Sequence, residues 1–232
     1  MNFLLPKSKR GELQPLPHLL LPPPIRAISH LNKLGIPNVH ARCSICLTFD
    51  DGPDPIYTPK ILEVLENHNA KATFFVLGEA VEQFPGLVYE ILKAGHGIGN
   101  HTYSHSHPWM MSPLRAQQEV SKTNSIIKSV TGITPRWFRP PFGRLRAAMR
   151  RQAHLEGMRT VLWSRSVIDW GMLGNKAGIA RRLETIEPGD IVLMHDGKRE
   201  ANNPEFTVEC LPTFLQSLGE KALAACTLDE VF

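Results

Sequence analysis

Six short strand-like runs recur along the chain, separated by longer stretches with helical spacing: SICLTF (44–49), ATFFVLG (72–78), GHGIGN (95–100), RWFR (136–139), TVLWS (160–164) and DIVLMH (190–195). Runs this short, rich in β-branched and aromatic residues and bounded by turn formers, fit buried strands better than helices. Their alternation with helical segments is the pattern of repeated β-α units around a mostly parallel sheet, and it restricts the chain to the α/β class. TLDEVF (227–232) is a candidate closing strand.

Between the runs, Thr58-Pro59 and Ser112-Pro113 each offer a hydroxyl N-cap followed by proline at the first helical position, where its missing N–H costs nothing. Gly132 follows the helically spaced Ile126, Ile127 and Val130 and is a natural stop for the second helix.

The 232 residues, 42% of them hydrophobic, suffice for one sizeable core, so a single domain is expected over 43–232. Residues 1–42 carry seven of the nineteen prolines, which lock φ and remove donors, so this part reads as an extended proline-rich arm. Its two leucine-rich patches are broken by prolines and lack the form of a secretory signal, and no later run reaches spanning length. A cytoplasmic protein without a transmembrane segment is therefore the expectation, and a monomer. The net charge of +4 is spread without a Lys/Arg run, which argues against a nucleic-acid partner.

Cys43 and Cys46 form a C-x-x-C pair inside a strand-like run, where a separation of three sends side chains to opposite faces and disfavours chelation. Cys210 and Cys226 have no second close pair, so all four are expected to be plain core or edge thiols.

The polar residues at the strand ends carry the chemistry. Adjacent carboxylates repel, and burying one is costly unless it is paired or bound to a cation. Asp50 and Asp51 stand together where the first strand ends, so opposite orientation lets one face a metal while the other stays a free carboxylate. In NHTYSHSH (100–107), His101 and His105 are four apart and share a face if the segment turns once. Two imidazoles and a carboxylate leave positions open for water and substrate, as in a catalytic divalent site. A solvated histidine-rich loop is the alternative, and His96 and His107 sit closer to it. Arg139 can hold a carboxylate in a two-pronged contact or lie on the surface. His195 emerges from IVLM onto the same rim, as a proton donor or as a structural histidine. In parallel α/β folds, the rim at the strand carboxyl ends is where sites are built.

Taken in order, TFDDG (48–52), HTYSH (101–105), RPPF (139–142), the DW of SVIDW (169–170) and LMH (193–195) resemble the motifs of the polysaccharide deacetylases of carbohydrate esterase family 4, the NodB-homology domain. The resemblance spans most of the chain beyond residue 42. It implies a distorted (β/α) barrel of about seven strands and a metal-dependent hydrolase that removes N-acetyl groups from an N-acetylglucosamine-containing glycan, of chitooligosaccharide or peptidoglycan type, releasing acetate. By the resemblance, Asp51, His101 and His105 hold a divalent metal, usually zinc and sometimes cobalt or another ion. Asp50 is the general base, tethered by Arg139; His195 is the general acid, oriented by Asp169. Phe142, where the family often has tyrosine, donates its backbone N–H to the oxyanion, and Trp170 and Leu193 line the pocket for the acetyl methyl. The fourth motif commonly reads D-x-x-D-W, and its first position here is Ser166. A non-catalytic carbohydrate-binding protein and an O-deacetylase of acetylated xylan are the competing readings.

Overall fold

The structure is a computed structural model that describes residues 21–27 and 43–232. Its centre is β1 (Cys43–Asp50), flanked by β2 (Thr73–Val76) and β7 (Ile191–His195). Outward from β2 follow β3 (Gly97–Asn100), β4 (Trp137–Phe138) and β5 (Arg159–Thr160), and outward from β7 lies β6 (Arg165–Ser166). All these pairings are parallel, and the seven strands curl into a half-barrel with helices outside. An eighth strand, β8 (Ala224–Cys226), pairs with the amino-terminal half of β1.

Period-two alternation along β1 sorts its side chains. Ile45, Leu47 and Phe49 join the main core, where Phe74, Val76, Val192 and Met194 meet the covering helices α1 (Tyr57–Asn67), α3 (Pro85–Lys93) and α7 (Pro204–Glu220). Cys46 faces the other way, into a smaller cluster with Phe75, Trp137, Ile191 and Leu228. Thr48 and Asp50 share that inward side, so the polar end of β1 opens into the barrel. The register completes the arrangement: Asp50 lies opposite Phe75 and His195, and Asn100 lies opposite Val76 and Phe138. The strands thus end at one level, and the residues that follow them form one rim.

Residues 21–27 run along the open side of the half-barrel. Ile25 bridges Val161 beside β5, and Ala27 bridges Asp190 at the start of β7. The remaining residues expected to form the arm lie outside the described residues.

Ser112 and Gly132 bound α4 (Pro113–Thr131) as expected: the Ser112 hydroxyl accepts from the Arg115 N–H at 3.2 Å, and Gly132 takes φ 76°. Thr58, in contrast, is not an N-cap. Helix α1 starts two residues earlier, at Tyr57 with Ile56 as its N-cap, and Asp54 Oδ1 accepts from the Ile56 and Tyr57 N–H groups at 2.8 and 3.0 Å, a local turn that outcompetes the hydroxyl. TLDEVF is not a strand. Thr227 and Glu230 close a capping box around the short helix α8 (Leu228–Val231), and the strand is the preceding β8. The expectation of four plain thiols also fails, because Cys226 is disulfide-bonded. Spacing in sequence is no guide where a sheet brings distant residues together. Cys46 and Cys210 are free and buried, and burial, followed by the charge of Glu230, pushes the Cys46 thiol up to about 12.

Candidate active site

β1 delivers Asp50 inward and then bends sharply, with Asp51 at φ 76°. The turn carries Asp51 toward the loop after β3, where His101 and His105 wait. Asp51 Oδ1 lies 3.5 Å from His101 Nε2 and 3.3 Å from His105 Nε2 and has no hydrogen-bond donor, while Oδ2 accepts from Asn202 Nδ2 at 2.7 Å. The three ligand atoms fall within 4.8 Å of one another. A buried carboxylate oxygen without a donor, facing two imidazole nitrogens, suits a divalent cation.

The histidines are prepared for that role. His101 Nδ1 bonds the Arg139 carbonyl at 2.8 Å, which places the proton on Nδ1 and turns Nε2 toward the cluster. Burial, chiefly, lowers the His101 pKa to about 4, with the neighbouring His105 adding to it against the pull of Asp50. His105 is lowered to about 4 by burial and then by the charge of Arg199. Both imidazoles are therefore neutral at pH 7, the ligating form.

Helix α4 holds the loop in shape. Glu119, almost fully buried, accepts on Oε2 from the Tyr103 and Ser104 N–H groups at 3.2 and 2.9 Å. Asn100 Oδ1 accepts from the Thr102 N–H at 2.9 Å, and its Nδ2 donates to the Val120 carbonyl. These bonds stabilise left-handed backbone at Thr102 (φ 73°) and His105 (φ 54°). With Asp51, Phe142 and Ile168, five of the seven non-glycine residues at positive φ among the described residues flank this site, a concentration of strain expected where geometry is functional.

Asp50 is held from the opposite side. Arg139 is completely buried and donates from Nη1 to Asp50 Oδ1 at 2.7 Å and to Thr48 Oγ1 at 2.8 Å, and from Nη2 to the Leu162 carbonyl at 3.0 Å. The guanidinium lies over the Phe75 ring at 4.0 Å, so its plane is fixed by stacking as well as by hydrogen bonds. The Arg139 contact is to one oxygen of Asp50. The other, Oδ2, points toward His101 Nε2 at 3.6 Å.

His195 closes the arrangement. Its Nδ1 bonds Asp169 Oδ1 at 2.8 Å, while Asp169 Oδ2 accepts from the His195 N–H and the Thr207 hydroxyl, each at 2.8 Å. Burial opposes charging of His195, but the charge and hydrogen bond of Asp169, with smaller help from Asp51 and Asp50, outweigh it and raise the pKa to about 9. Trp170 stands edge-on to the imidazole at 5.4 Å. Ser166, in place of the family's aspartate, accepts from the Ile168 N–H at 3.1 Å and shapes the turn into Asp169.

A cavity of about 300 Å³ is lined by Asp50, Asp51, His101, His105, Phe142, Trp170, Leu193 and His195, with Gly143, Trp163, Ala201 and Asn202 completing its wall. Arg139 and Asp169 sit directly behind it, so every residue singled out from the sequence for the site is gathered here. Phe142, at φ 57°, packs at a tilt against His105 and His107 with ring centroids 4.6 and 5.2 Å away. His107 thus supports the wall, whereas His96 accepts from the Ala72 N–H behind β3, away from the cavity. Sequence reasoning did not find Glu119, Asn202 or Trp163. None carries a motif, and each acts through contacts that exist only after folding.

Comparison with known proteins shows the family of the chain. The family model described as polysaccharide deacetylase matches residues 38–161. A peptidoglycan-N-acetylglucosamine deacetylase of Bacillus cereus is 35% identical over 191 residues, covering 82% of this chain and 69% of its own. A chitooligosaccharide deacetylase of Bradyrhizobium is 37% identical over 155 residues, 66% of this chain and 71% of its own. Among solved structures, the Bc1960 peptidoglycan N-acetylglucosamine deacetylase superposes with a TM-score of 0.76 at 34% identity, covering 84% of this chain and 90% of that one. The chain belongs to the polysaccharide deacetylase family.

Proposed function

We propose that this chain is a metal-dependent deacetylase that hydrolyses the N-acetyl group of N-acetylglucosamine in a glycan, releasing acetate and leaving the amine. The observation that carries the reading is the division of labour between adjacent carboxylates: Asp51 offers an undonated oxygen to two neutral imidazoles, while Asp50 is fixed on Arg139 with its second oxygen free.

Asp51, His101 and His105 hold the ion, and one carboxylate with two imidazoles suits zinc, with cobalt as a substitute. When bound, such an ion polarises the amide carbonyl and lowers the pKa of water. Asp50 takes the proton of the attacking water at Oδ2, because Oδ1 is committed to Arg139. His195, whose Nδ1 is occupied by Asp169, presents its Nε2 proton to the departing nitrogen. The charge and hydrogen bond of Asp169 are the largest influences that keep the His195 acid protonated. Trp170 and Leu193 bound the space for the acetyl methyl, and the Phe142 N–H serves the oxyanion.

The test is acetate release from chitooligosaccharides, peptidoglycan and acetylxylan in parallel, with chelator and after re-addition of zinc or cobalt. The reading expects metal-restored release from an amino-sugar glycan. Release from acetylxylan alone would make the chain an ester hydrolase, and glycan binding without any release would make it a non-catalytic binder.

A further inference from the structure

Beside the catalytic cavity lies a second, open cavity of about 480 Å³, and Asp51 lines both. The two cavities adjoin at Asp51, and the second is of ordinary size for a ligand subsite. It is walled by the loop after β7 on one side and by α2 (Gly78–Gln83) on the other.

Most of its charged groups are already committed. Asp54 accepts from the Ile56, Tyr57 and Lys198 N–H groups. Glu82 accepts from the Tyr103 hydroxyl at 2.8 Å, and Lys198 is gripped by both oxygens of Glu205 at 3.0 Å each. Arg199 differs. Among the described residues, its guanidinium makes one side-chain hydrogen bond, a single 3.4 Å contact to Glu79, and the side chain is 36% exposed. A guanidinium has five donors in a fork that matches a carboxylate, so most of its capacity faces the cavity unused.

We propose that Arg199 recognises a carboxylate on the sugar adjoining the one that is deacetylated, making muramic-acid-containing glycans, whose lactyl group carries such a carboxylate, better substrates than neutral chitooligosaccharides. The inference rests on the deacetylase reading and narrows its substrate class. The carboxylate displaces the long Glu79 contact and takes two guanidinium N–H groups in parallel.

The test compares chitotetraose with a tetrasaccharide of alternating N-acetylglucosamine and N-acetylmuramic acid bearing free lactyl carboxylates. The quantity read is the ratio of kcat/KM for the two, alongside the affinity of each by calorimetry. The wild-type ratio favours the carboxylate glycan. Arg199→Ala lowers that ratio about tenfold, as expected for loss of a charge-assisted hydrogen bond, and Arg199→Glu lowers it further. Raising the ionic strength from about 0.05 to about 0.5 M also shrinks the wild-type preference, which needs no variant. A ratio unmoved by either substitution, or no wild-type preference at low salt, overturns the proposal. The binding measurement separates the two failures: Arg199-dependent preference in affinity without acetate release from either glycan overturns the deacetylase reading alone.

Discussion

Replacing Arg139 with methionine removes a completely buried charge. Methionine fills much of the space, so the cavity term is small and the loss is chiefly electrostatic. Asp50 Oδ1 and the Leu162 carbonyl lose their donors, and Thr48 Oγ1 loses one of its contacts. Removing one partner of a buried ion pair costs about 3–5 kcal/mol, because the surviving charge stays desolvated. With a urea m-value of about 2–3 kcal/mol/M, that loss moves the unfolding midpoint down by about 1–2.5 M. The assay is urea unfolding in chelator, which keeps metal linkage out of the comparison. Asp50→Asn combined with Arg139→Met removes the stranded charge and unfolds at higher urea than Arg139→Met alone, a positive coupling typical of directly bonded pairs. A midpoint shift under about 0.3 M, or a double variant no more stable than the single one, refutes the claim that Arg139 compensates the Asp50 charge.

Asp169→Asn removes the main influence that raises the His195 pKa to about 9, so burial takes over and the alkaline limb of kcat/KM moves to lower pH; an unmoved limb contradicts the acid role. Because the folded pKa exceeds the ordinary histidine value of 6.5, wild-type His195 stabilises the fold fully below that pH and loses the contribution as pH rises through about 9, which the urea midpoint reads and the Asp169→Asn variant lacks. Glu119→Ala strands the Tyr103 and Ser104 N–H groups between the two histidines and weakens zinc affinity about 10–100-fold by chelator competition, an effect typical of lost outer hydrogen bonds. Unchanged affinity in a folded Glu119→Ala protein refutes that positioning role.

The strands that carry the site were legible because their signals are local. Short apolar runs marked β1, β2, β3 and β7, and three of their ends, those of β1, β3 and β7, bear Asp50, Asp51, His101, His105 and His195. Strand β6 was not legible, since Arg165-Ser166 has neither length nor apolar character and pairs only because β7 offers an edge. TLDEVF misled for the opposite reason: its β-branched ends look strand-like, yet the Thr-x-x-Glu spacing lets side chains satisfy the backbone of a helix start. The site's supports were hidden more completely. Glu119 sits in a helix of unremarkable polarity, and its work becomes visible only when α4 lies against the 101–105 loop. Residues 25–27, beside β5 and β7, likewise carried no signal of their own beyond the prolines at 22–24 that precede them.

The most direct test of the central claim measures zinc binding and acetate release on the same preparations of wild type, Asp50→Asn and His101→Ala, with an N-acetylglucosamine oligomer as substrate. The division of labour predicts that Asp50→Asn binds zinc and releases no acetate, while His101→Ala loses both. Acetate release by zinc-loaded Asp50→Asn at the wild-type rate, or full zinc affinity in His101→Ala, would contradict it.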